Sequence, residues 1–200
     1  TESDKFYSFL TKKKFLKKKV ICHLGSIGPN HYLEEVIKSF QYTNNNTILV
    51  IAGLSISSYA LKLKLLINQL SLKNKVFIFE GISNNYWFNI LRNSSIGVCF
   101  YKDISISHRH MAGTSNKFNN YLSSNLPMLV NNNKDFRLFK KSYDIYELTN
   151  PKSPKKIAIS IEKLLKNRKR YQIIKKNMKK AYKSTLNFDL QFEKSYGKIL

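Results

Sequence analysis

The stretch from His108 to Val130, HRHMAGTSNKFNNYLSSNLPMLV, holds the residues best suited to chemistry. Gly113, Thr114, Ser115 and Asn116 form a small, polar run that delivers Lys117 to the first turn of a helix ending before Pro127. Backbone N–H groups in a first turn have no partner within the helix, and the helix dipole adds positive potential, so the place suits an anion such as phosphate. On these residues alone, an ordinary capped connection with a solvated lysine is the better reading.

Other chemistries find less support. There is no GxGxxG, and GSIGPN offers Gly25 and Gly28 without a following GK[ST]. His23, His31, His108 and His110 do not stand at zinc spacing from cysteines or carboxylates, so no metal site is expected. No G-x-S-x-G elbow occurs, and only 12 acidic residues leave little from which to build a paired-carboxylate site. Asp103 is the best-placed carboxylate, although a solvated loop aspartate is the simpler reading. What remains is a backbone-lined nucleotide cleft: Gly25 and Ser26, Gly53, the run Glu80, Gly81 and Ile82, and the helix start from Thr114 through Ser115 and Asn116 to Lys117.

The elements that must position these residues are legible as apolar runs. Strands are expected over 20–24, 47–52, 75–80, 96–101, 128–130 and 144–148, the first ones too continuously apolar to be buried on a single face. Helical spacing falls between them: Leu33, Val36, Ile37 and Phe40; Leu63, Leu66, Ile67 and Leu70; Trp87, Phe88, Ile90 and Leu91. Gly25, Gly53 and Gly81 each follow a strand and lie 28 residues apart, the rhythm of successive βα units. The expected fold is α/β, a doubly wound parallel sheet of about six strands, whose ligands bind beyond the carboxyl ends of the strands. After Pro151 and Pro154 three amphipathic helices follow, the last carrying Phe188, Phe192, Tyr196 and Ile199.

Composition bounds the rest. Two hundred residues with 42% hydrophobic content suit a single core. No run is long and apolar enough for a membrane span, and TESDKFYSFL does not read as a signal peptide. Cys22 and Cys99 sit in apolar runs, as buried reduced thiols would, and with no signal peptide a cytoplasmic setting is the expectation. The chain begins with Thr1, as an excised piece would, so a missing partner domain is expected. Residues 1–19 read as a lysine-rich lead-in or linker, 20–150 as the nucleotide-binding domain and 151–200 as helices packed on it.

The net charge of +23 is uneven: 151–183 holds thirteen basic residues and one acidic, against thirteen and seven in 20–150. Two readings stay open for this ridge: solvated faces filled with lysine, or the docking surface of a catalytically inactive basic binding module for anionic membrane, nucleic acid or a partner protein. Nucleic acid is disfavoured because the strand-rich core is only mildly basic.

The order of pieces resembles the C-terminal, donor-binding domain of GT-B glycosyltransferases of the group 1, family 4 type, over nearly all of 18–200. HLGSIGPNHYLEEVIKSF is similar to the family's first strand, glycine loop and helix, LVIAG and KVFIFEGI to its second and third strands, and IGVCFYKD to its fourth. SNKFNNYLSSNLPMLV is similar to the family's P-N-K-L-F-E-Y-L-A-A-G-K-P-V-L, matching at Asn116, Lys117, Tyr121, Leu122 and Pro127. It departs at Asn120, where the family has a glutamate on the ribose, and at Ala112, Ser115, Asn125 and Ser26. The resemblance implies a nucleotide-diphosphate sugar as donor and no metal or other cofactor. Its diphosphate would lie on Gly25, Ser26, Asn116 and Lys117, its base against Glu80 to Ile82, its ribose near Asn120 and its sugar near Tyr101. Lys117 would be the catalytic cation. It further implies a glycan or lipid-linked acceptor of surface-polysaccharide type held by an N-terminal domain, so that this chain alone transfers nothing.

Overall fold

The computed structural model describes residues 4–196, except the side chains of Asp4, Lys5, Asn84, Phe188 and Tyr196. Six strands, β1 (Lys19–Leu24), β2 (Thr47–Gly53), β3 (Val76–Glu80), β4 (Ser94–Cys99), β5 (Met128–Asn131) and β6 (Tyr146–Thr149), form one sheet in the order β3-β2-β1-β4-β5-β6. Every neighbouring pair is parallel. All seven residues of β2 are buried, as expected of an apolar strand covered on both faces.

The connections run outward from β1 in one direction and from β4 in the other. Right-handed crossovers therefore put their helices on opposite faces, and the reversal falls between β1 and β4. On the first side lie α2 (Leu33–Ser39) and α3 (Ser57–Gln69), and on the second α4 (Asn84–Asn93), α5 (Ile106–Arg109), α6 (Asn116–Ser123) and α7 (Lys134–Ser142). Then α8 (Pro154–Lys166) packs on α2, and α9 (Arg168–Ser184) packs on α6. Several helices start on a side-chain cap, with Ser83, Ser115, Asn133, Ser153 and Asn167 each accepting from an N–H of the first turn.

Three expectations are corrected. The described part of the 1–19 segment is not wholly an exposed lead-in: α1 (Asp4–Lys12) packs on α4, and Phe6, Leu10 and Phe15 are buried. Phe9 packs edge-on against Phe77 and Phe79 of β3, so the lysines of this segment flank an aromatic seam that covers the edge of the sheet. The fourth strand is Ser94–Cys99 and not 96–101, and beyond Cys99 the side-chain amide of Asn131 takes over the pairing. Its Oδ1 accepts from the Tyr101 N–H at 2.9 Å and its Nδ2 donates to the Tyr101 carbonyl at 2.7 Å. The sixth strand begins at Tyr146, after Asp144 has turned to Arg170.

The basic helices are not exposed throughout. Arg170 is turned inward, where it holds Asp144 and Glu147 and ties α9 to the end of the sheet. The third C-terminal helix is α10 (Phe188–Tyr196), with Phe192 43% exposed, and Ile199 lies outside the described residues. Cys22 and Cys99 are buried free thiols. No helix among the described residues is long and apolar enough to cross a membrane.

Candidate functional site

Strands β1 and β4 separate at their carboxyl ends: their pairing stops at Cys22 and Gly97, while β1 continues to Leu24. Tyr121 of α6 fills the split. Its hydroxyl oxygen accepts from the Leu24 N–H at 2.9 Å, and its proton faces the carbonyls of Cys22 at 3.3 Å and Val98 at 3.4 Å. The ring fits only because Gly97 has no side chain, since a Cβ there would lie 2.6 Å from it. This wedge anchors α6 and aims its first turn at the end of β1.

Above the split opens a cleft of about 880 Å³. Leu24, Gly25, Ser26, His31, Leu54, Trp87, Phe88, Tyr101, Met111, Thr114, Ser115, Asn116, Lys117 and Asn120 line it. Gly25, Ser26, Tyr101 and the residues of the 114–120 stretch named from sequence thus come together at one place. Gly53, Glu80, Gly81 and Ile82 do not line this cleft. Gly53 stands behind it, where a Cβ would lie 1.9 Å from the Gly25 carbonyl oxygen and so push the glycine loop away. The Glu80 carboxylate is engaged by Lys64 and Ser55, which together hold it below the usual carboxylate range.

Lys117 is 6% exposed, and among the described residues it is the one buried lysine or arginine. Its stem passes under Gly25, whose Cβ would come 3.1 Å from the Lys117 Cε; φ of +139° there already favours glycine. The ammonium sits 3.4 Å from both ring nitrogens of His23 and 5.1 Å from the centre of the Tyr101 ring. Burial pulls its ionisation from 10.5 down to about 8. Burial also keeps the nearby imidazoles neutral, with the Lys117 charge reinforcing it: His23 falls well below its ordinary value and His31 to about 3.

Hydrogen bonds tie the surrounding residues together. The Tyr101 and Ser115 hydroxyls are hydrogen-bonded, while Ser115 also caps α6 by accepting from Phe118 N–H at 3.2 Å. His31 ends a short 3₁₀ turn (Pro29–His31), and its Nδ1 donates to the Phe100 carbonyl at 3.2 Å. No cluster of three His, Cys, Asp or Glu side chains suited to a metal occurs among the described residues. The arrangement can hold an anion through one cation that is poorly hydrated and already in place.

His23 and His31 were not among the site residues inferred from sequence, and neither were Leu54, Trp87, Phe88 and Met111. His23 immediately precedes the Leu24-Gly25 pair, and His31 closes the glycine loop. That adjacency was the one local signal for the two histidines.

The sequence model of the family described as glycosyl transferases group 1 matches residues 8–181. A comparison with curated protein sequences finds no match. Among solved structures, the chain is similar to Anabaena HepE in complex with UDP, with a TM-score of 0.74 at 13% identity over 97% of this chain and 52% of that one. It is also similar to the C-terminal domain of the Francisella tularensis group 1 family glycosyl transferase LpcC, with a TM-score of 0.71 at 18% identity over 90% of this chain and 92% of that domain. A third is WaaG, a glycosyltransferase involved in lipopolysaccharide biosynthesis, with a TM-score of 0.68 at 12% identity over 92% and 47%. The chain therefore spans about half the length of HepE and WaaG and nearly the whole of the LpcC domain. With the family model matched over 8–181, this chain belongs to the group 1 glycosyltransferases, and its fold is that of a GT-B C-terminal domain.

Proposed function

We propose that this chain is the donor half of a sugar transferase and holds a nucleoside diphosphate sugar in the cleft between β1 and β4. The observation that carries this reading is Lys117, a buried lysine with no carboxylate partner among the described residues, set at the first turn of α6 under a glycine loop. Breaking the bond between the sugar and the diphosphate builds negative charge on the leaving nucleotide. A fixed ammonium and the start of a helix stabilise that charge without reorganising. Gly25 and Ser26 bring backbone to the diphosphate, Asn116 and Thr114 border it, and Tyr101 lies on the sugar side. Asn120 reaches the ribose hydroxyls as a neutral partner able to donate and to accept. The nucleobase extends beyond the residues that line this cleft, to the backbone of Glu80 to Ile82 at the end of β3. This scheme needs no metal.

The acceptor is supplied by a second domain, and without it the chain binds donor and transfers nothing. The reading extends to a lipid-linked or surface-polysaccharide acceptor at a membrane. Its support is the exposed side of α8, where Ile159 stands 63% exposed beside Lys155, Lys163 and Lys166.

Calorimetry with UDP, GDP and their sugars tests the donor site. Binding by the intact chain that weakens at least tenfold in Lys117→Ala is expected; no binding, or undiminished binding in the variant, refutes it. Co-sedimentation with phosphatidylglycerol vesicles at rising salt tests the membrane face. Steeply salt-dependent DNA binding without nucleotide-sugar binding would instead make the chain a basic binding module.

A further inference from the structure

His23 is fully buried near the end of β1 and joins the glycine loop to Lys117, 94 positions further along the chain. Its Nε2 lies 3.2 Å from the Ser26 carbonyl oxygen, in the glycine loop. A carbonyl only accepts, so Nε2 carries the ring proton and Nδ1 keeps its lone pair. The Lys117 Nζ lies between the two ring nitrogens, 3.4 Å from either; an ammonium only donates, and in this tautomer Nδ1 is the one ring nitrogen able to accept from it. The imidazole is thus a neutral bridge between the loop and the lysine.

We propose that His23 is a positioning residue, its tautomer set by the Ser26 carbonyl, that keeps Lys117 charged and directed at the diphosphate; this rests on the donor-binding reading. The groups around Lys117 leave few alternatives. From β1 come Cys22 and His23, from the turn before α2 His31, and from the end of β4 Cys99 and Tyr101. Burial holds both thiols and the phenol protonated, with Cys22 pushed up to about 12. None of these supplies a negative charge. The ammonium is held by the face of Tyr101 and the lone pair of His23, and a bound diphosphate completes its shell.

NMR of the ligand-free protein tests this without nucleotide. Nitrogen-15 shifts should show His23 protonated at Nε2, and the carbon-13 shift of Lys117 Cε should titrate near pH 8. In His23→Leu, loss of the acceptor should lower that midpoint by roughly one to two pH units. His23→Gln, whose amide can donate to Ser26 and accept from Lys117, should restore it. UDP affinity of His23→Leu should then be at least tenfold weaker at pH 8 and recover on acidification to pH 6.5, which a merely structural defect would not do. An Nδ1-protonated His23, or a Lys117 midpoint unmoved in His23→Leu, overturns the proposal; the tautomer decides the matter even if that variant fails to fold. A shifted midpoint in a chain that binds neither UDP nor GDP would refute the donor reading while leaving the His23 bridge standing.

Discussion

Replacing Lys117 by methionine should stabilise the fold while removing its nucleotide site. The lysine ionises at about 8 instead of 10.5 because it is buried. At about 1.4 kcal/mol per pH unit, keeping it charged at pH 7 costs the fold about 3 kcal/mol. Methionine follows much the same path under Gly25 and carries no charge. For a chain of this size the melting temperature should rise by roughly 6 to 12 °C. The sign of the pH dependence follows from proton binding. Between pH 8 and 10.5 the unfolded chain holds more of this proton than the folded one, so the wild type gains stability as pH rises through that window. The advantage of Lys117→Met should therefore be largest below pH 8 and vanish near pH 10.5. Urea unfolding of both proteins at pH 7, 8.5 and 10 measures it. A methionine variant no more stable than wild type at pH 7, or an advantage that does not shrink with pH, would refute the picture of a buried, uncompensated ammonium. A gain of stability at the expense of binding is the signature of a strained functional site.

Other perturbations separate the supports of the site. Gly53→Ala, though outside the cleft, should abolish nucleotide binding in calorimetry as strongly as Gly25→Ala, because its Cβ would strike the Gly25 carbonyl. Tyr121→Phe leaves the buried Leu24 N–H without its acceptor and should cost roughly 1 to 3 kcal/mol in urea unfolding, with the loss of amide protection concentrated at the ends of β1 and β4. Phe6→Ala should cost roughly 3 to 5 kcal/mol, since Phe6 is completely buried against Phe79 and Tyr86; an unchanged midpoint would return 1–19 to the status of a linker. Arg170 holds the Asp144 carboxyl far below the usual range, so the stability this pair contributes is present above the ordinary aspartate pKa and lost as pH falls below it. Arg170→Met should accordingly remove part of the acid sensitivity of unfolding below about pH 4.

Local pattern made most of the architecture legible. An apolar run such as TILVIA can be buried on two faces only inside a covered sheet, and the glycines at 25, 53 and 81 mark where strands end. The one inward-facing position in 12–19 was obscured by six lysines in eight positions. Phe15 alone turns inward there, and what buries it is Phe77 of β3, some sixty residues away and invisible to a local reading.

The sequence by itself determined the parallel α/β fold and the place of Lys117 at a helix start after the fourth strand. It did so because periodicity, capping residues and glycine act over a few neighbouring positions. Only the tertiary structure decided that Lys117 is buried, that Gly53 serves by making room for the Gly25 carbonyl, and that His23 and Tyr121 bind β1 to α6. Those facts depend on which strands lie side by side. The reversal between β1 and β4 sets residues nearly a hundred positions apart in contact, and there the low dielectric turns an ordinary lysine into a poised cation.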